Sequence, residues 1–80
     1  MPEEELFKTE RQIERTEISE TLREAADQIE SGTVSLASDG EEQTVTIPDR
    51  PWFEVELERL TDSETGDQRY ELEYEIRWTA

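Results

Sequence analysis

Hydrophobic and polar residues alternate without a break from Arg69 to Trp78, placing Tyr70, Leu72, Tyr74, Ile76 and Trp78 on one side of the chain. A period of two is that of a β-strand with one apolar face, so this stretch predicts a strand. WFEVELERL repeats the pattern, with Phe53, Val55 and Leu57 inward and Trp52, Glu54, Glu56 and Glu58 outward. Two shorter runs, TVSLAS and QTVTIP, present Val34 and Leu36, then Val45 and Ile47, and meet across Asp39-Gly40. They predict a hairpin. Pro48 and Pro51 stiffen the passage to the longer strand, and TDSETGDQ is the loop before the last one.

A different period governs the first third of the chain. Ile18, Leu22, Ala25, Ala26 and Ile29 are spaced by 4, 3, 1 and 3, the stripe of one amphipathic helix. Thr16 is its expected cap, Glu17 and Glu20 suit its first turn, and Gly32 suits a left-handed stop. The two alanines would let this helix lie close to a sheet. Before it, ELFKTERQI at residues 5 to 13 alternates weakly, with Phe7, Thr9, Arg11 and Ile13 on one side, and is expected to be a further strand. The order β-α-β-β-β-β defines an α+β fold, with a largely antiparallel twisted sheet and one helix on one face. Residues 1–80 are read as a single domain without repeats or linkers.

The helix is too narrow for such a sheet. Five strands span roughly 24 Å, whereas a helix with its side chains is about 10 Å across. Close to half the apolar face, centred on Tyr70, Leu72, Tyr74, Ile76, Trp78, Phe53, Val55 and Leu57, is expected to be covered by a second copy of the chain, since two-fold dimers are the commonest oligomers. The first strand could then cross to the other subunit.

Charge changes the picture of the opposite face. The chain holds 23 Asp and Glu against 8 Lys and Arg, a net charge of −15, with Lys8 its one lysine. Residues opposed in an antiparallel pair share a face, so Glu54, Glu56 and Glu58 must oppose Glu71, Glu73 and Glu75. Like charges so placed repel. A solvated face screened by salt, a docking patch for a basic partner and a carboxylate-lined cation site are the three ways to neutralise it. Trp52 and Arg77 fall on this face by parity, either with the cation over the ring or with the indole exposed for a partner.

Candidate chemistry adds little. Histidine and cysteine are absent, which excludes the usual nucleophilic triads and leaves zinc only oxygen ligands. The three glycines are scattered and cradle no phosphate. A ladder of equivalent glutamates lacks the pKa asymmetry of an acid–base pair, and the segment from Asp62 to Asp67 lacks the glycine placement and closing glutamate of a calcium loop. No enzymatic activity, cofactor or metal is expected. The acid excess repels nucleic acid, and no apolar run is long enough for a membrane helix. A soluble cytoplasmic protein is expected, one suited to molar salt, where the screening length falls to about 3 Å.

FEVELE, YELEYEIRW, the preceding IPDRPWFEVELE and the segment from ELFKTERQI to SGTVSL together resemble the amphi-Trp domain, a family of short proteins well represented in halophilic archaea. The resemblance covers nearly the whole chain and implies a high-salt cytoplasm. It carries over no catalytic residue and no ligand. The functional expectation is therefore a small, acidic, non-catalytic homodimeric interaction module. An acidic mimic of nucleic acid that binds basic proteins, and a weak oxygen-ligand cation binder, are the alternatives.

Overall fold

The computed structural model describes residues 2–80, and the chain divides into two compact units, Met1–Asp49 and Arg50–Ala80. One helix and four strands in two antiparallel sheets make an α+β fold.

In the first unit, α1 spans Arg15–Ser31. Its N-cap is Glu14, which stays extended at φ −70° and ψ 150° and accepts the N–H groups of Glu17 and Ile18 at 3.0 and 3.2 Å. The expected cap Thr16 lies inside the helix instead, because Arg15 is itself a good helix former and starts the first turn. The stop is at Gly32, as the sequence predicts. Its φ of 92° is left-handed, and its N–H reaches the carbonyls of Gln28 and Ile29.

Gly32 turns the chain into β1, Thr33–Ser38, which pairs with β2, Glu41–Thr46. Asp39 and Gly40 both take positive φ, 48° and 82°, the pattern of a two-residue turn matched to strand twist. Val34 faces Val45 directly, and the Ser35 and Thr44 hydroxyls lie 3.3 Å apart on the other face. Ile47 extends the ladder by donating its N–H to Gly32 at 2.8 Å, and it is the buried apolar residue of this unit.

The helix meets β1 with the side that carries Ala25 and Gln28, both half-buried, and the Gln28 Oε1 accepts the Ser35 N–H at 2.7 Å. Ile18, Leu22 and Ile29 stay exposed. The expected stripe is only partly used, because a two-strand sheet about 5 Å from strand to strand is too narrow to cover all of it. Alongside lies a groove of about 440 Å³ lined by Phe7, Thr9 and Arg11, by α1 and by β1.

The strand expected over residues 5 to 13 is not formed. Its alternation is weak, with Thr9 and Arg11 on the would-be apolar side, and no ladder holds it.

The second unit is one long hairpin, β3 at Trp52–Thr61 and β4 at Gln68–Arg77. The sequence expectation of a single five-stranded sheet is thereby corrected to two sheets of two strands each. Alternation reports which way a side chain points, not which strand lies next to it.

Candidate functional site: the two faces of the second hairpin

The register of β3 and β4 decides what each face carries. Phe53 opposes Ile76, Val55 opposes Tyr74, Leu57 opposes Leu72 and Arg59 opposes Tyr70. Six apolar side chains in three consecutive rungs make one face continuous. Phe53 and Tyr74, diagonal neighbours, stack with ring centroids 6.3 Å apart and planes 16° from parallel. Tyr70 continues the row, and its hydroxyl donates to Gln68 Oε1 at 3.1 Å. Trp78 lies one residue past the end of β4 and is half-buried, so the stripe outruns the ladder by one position.

No part of this face is a core. Phe53, Val55, Leu57, Tyr70, Leu72 and Tyr74 keep between 54% and 69% of their surface accessible. Ile76 is half-buried.

The reverse face is acidic. Glu54 opposes Glu75, Glu56 opposes Glu73 and Glu58 opposes Glu71, the three like-charge rungs that parity requires. Cations stand at its ends. Arg77 sits opposite Trp52 but turns its guanidinium to Glu54 at 3.6 Å and Glu75 at 4.0 Å, and Arg69 pairs with Glu71 at 3.4 Å. The cation-over-ring arrangement expected of Arg77 is thus replaced by ion pairs with carboxylates, and Trp52 stays 74% exposed. Two carboxylates within reach outweigh one ring quadrupole at an exposed site.

The middle of the ladder has no such relief. Glu56 is pushed up to about 7 by a hydrogen bond with the Glu58 carboxyl and by that group's charge, then by partial desolvation and by the charges of Glu54 and Glu73. Side-chain rotamers of residues i and i+2 on one strand face set how closely their carboxyls approach, and alternation alone does not record them.

At the tip, residues 62 to 67 hold themselves together. Asp62 Oδ1 accepts the N–H groups of Glu64 at 2.8 Å and Thr65 at 3.1 Å, which holds its carboxyl below the usual carboxylate range. Its backbone bonds to Asp67 and Gly66, and Gly66 takes a φ of 79°. The segment is a closed hairpin loop, with the Asp62 carboxylate committed to its own backbone. Among the described residues no group of three or more potential ligands converges to hold a metal. No helix among them is long and apolar enough to cross a membrane.

No curated protein and no solved structure matches the chain. The strand alternation, the terminal tryptophan and the helix ahead of them nonetheless follow a known pattern from end to end: the model of the Amphi-Trp domain matches residues 1–80, and the chain belongs to that family.

Proposed function

We propose that this domain is a non-catalytic interaction module that works as a homodimer in a high-salt cytoplasm, joined through the apolar face of the β3–β4 hairpin. The exposure of Phe53, Val55, Leu57, Tyr70, Leu72 and Tyr74 is the observation that carries the reading. With aromatic side chains of about 150 to 250 Å² each, more than half accessible, the face offers on the order of 600 Å². That is at the upper end of the roughly 300 to 600 Å² found for the largest patch on a monomer, and close to the ~800 Å² per partner of a standard interface. An isolated two-stranded hairpin is also marginal in water and needs a cover. A second copy supplies an identical flat face, and sheets pack at about 10 Å with their strands nearly aligned. The absence of histidine and cysteine and the openness of the carboxylate face support the non-catalytic part.

Light scattering on a sizing column in about 2 M potassium chloride, at micromolar chain, is expected to give twice the 9.4 kDa chain mass. A monomer whose Trp78 is nevertheless shielded from a soluble quencher overturns the dimer, because the cover then comes from within the chain.

A second reading draws on the opposite face. Three opposed glutamate pairs with one ion-paired arginine at each end present dense negative charge, the complement of a basic protein surface. Titration with a polyarginine peptide measures it. Binding that weakens when Glu54, Glu56, Glu71 and Glu73 are replaced by glutamine supports an acidic mimic, and binding indifferent to those changes sinks it.

A further inference from the structure

The outer edge of β1 is an acceptor for a strand, and we propose that residues 5 to 13 of the same chain fill it, in parallel, closing a β-α-β unit. This inference is independent of the dimer, since it concerns only the first unit.

Hydrogen-bond alternation shows which groups of β1 are free. Ile47 donates to the Gly32 carbonyl, so Gly32, Val34 and Leu36 are the residues bonded across to β2. Thr33, Ser35 and Ala37 therefore point their N–H and C=O groups away from β2. One of those donors already has a provisional partner: the Ser35 N–H is held by the Gln28 side chain at 2.7 Å. A side-chain amide satisfies one group where a strand would satisfy the whole row.

The candidate strand is already beside this edge. Phe7, Thr9 and Arg11, alternate residues of the segment, line the same groove as residues Val34 to Ser38 of β1. The Gln28 side chain stands between them at Ser35. Phe7 and Ile13 are half-buried while Leu6 is 63% exposed, so these two mark the side that turns inward, with Thr9 and Arg11 between them still exposed.

Connectivity sets the direction. Residue 14 alone joins the segment to α1, and Gly32 alone joins α1 to β1. With connections this short the helix runs back along both flanking segments, which must then run the same way. Nine extended residues cover about 30 Å and a 17-residue helix about 25 Å, so the lengths match. The connection of more than a dozen residues is what a parallel pair needs. On closure the Ser35 N–H passes from the Gln28 amide to a backbone carbonyl, and Gln28 is released to solvent. The closed edge no longer offers its free groups to another chain.

Amide hydrogen exchange on the full-length chain in about 2 M potassium chloride tests this. Thr33, Ser35 and Ala37 are expected to exchange at least about tenfold more slowly than exposed amides, and Ser35 should keep that protection in Gln28→Ala. Loss of Ser35 protection in that variant, with Thr33 and Ala37 unprotected throughout, overturns the closure and leaves only the side-chain bond. Prolines sharpen the result. Successive N–H groups along a strand point to opposite edges, so one of Lys8→Pro and Thr9→Pro removes an inward donor and the other an outward one. Unequal loss of protection at Ser35 and Ala37 supports the strand, and no loss in either variant overturns it. Protection that disappears on dilution to a monomer assigns the strand to the second copy and likewise overturns closure within one chain.

Discussion

Two antiparallel ladders of very different make-up lie in this chain. The β1–β2 ladder is six residues long, has a tight two-residue turn and leans on α1 through Ala25 and Gln28. The β3–β4 ladder is ten residues long, has no helix of its own unit and exposes both faces. Short strands in the first unit are held by the connection through Gly32 and Ile47, where helix stop, turn and ladder meet. Long strands in the second are held to each other by cross-strand rungs, apolar on one side and repulsive on the other. The first ladder has a partial cover within its own unit, and the second has none within its own.

The largest effect expected from this contrast is at Leu72. If its face is covered in solution, Leu72→Ala costs about 2 to 5 kcal/mol in a urea melt at molar salt and micromolar chain. Val45→Ala, at a site 37% exposed in the first unit, should cost about 1 kcal/mol or less. Equal and small losses at both sites would erase the distinction between the two ladders.

Next in size is Gly32→Ala. A Cβ there meets nothing closer than the Ile47 carbonyl at 4.0 Å, so its cost is the left-handed backbone alone, about 1 kcal/mol. Protection of the Ile47 amide, bonded to Gly32, should fall with it while amides of β3 and β4 stay as they were. A matching loss in β3 and β4 would show that the two units unfold as one.

The smallest effects belong to the glutamate face, and they carry a sign. The folded pKa of Glu56, about 7, lies above the ordinary 4.5. Its contribution is therefore fully present below pH 4.5 and is lost as pH rises through 7. Thermal melts in 0.1 M salt should shift upward from pH 8 to pH 5, and Glu56→Gln should flatten that shift. Joint replacement of Glu56 and Glu73 by glutamine should raise the melting temperature at low salt and do little near 2 M, where the wild-type chain itself gains from screening. A chain that melts at the same temperature from 0.1 M to 2 M salt would rule out electrostatic repulsion as the weakness of this ladder.

Much of this arrangement was legible in the sequence, for reasons tied to particular residues. Opposed residues share a face, so parity placed glutamates of β3 against glutamates of β4 and apolar residues against apolar ones, while the register that pairs Glu54 with Glu75 and Leu57 with Leu72 came only with the structure. Gly32 announced the helix stop because no other residue type suits that backbone angle so cheaply. The start of the helix was harder to place: Glu14 caps with its carbonyl and not its side chain, which leaves no compositional mark. Nor could alternation tell that the strands would pair as two separate hairpin sheets, or that Arg77 would choose Glu54 over Trp52. The raised pKa of Glu56 depends on how near the Glu58 carboxyl stands, which alternation does not record.

The long strands β3 and β4 also have a colloidal consequence. Each leaves one side of its backbone outside the two-strand ladder, ten residues of regular donor and acceptor groups next to an apolar stripe. Such a segment is a template for stacking copy upon copy into a fibre. The alternate glutamates act against this as gatekeepers, because every added copy would bring three more like-charged rungs into line with the last. Acidification below the carboxylate range removes that barrier while leaving the stripe untouched, so this chain's solubility is written into the same residues that strain its fold.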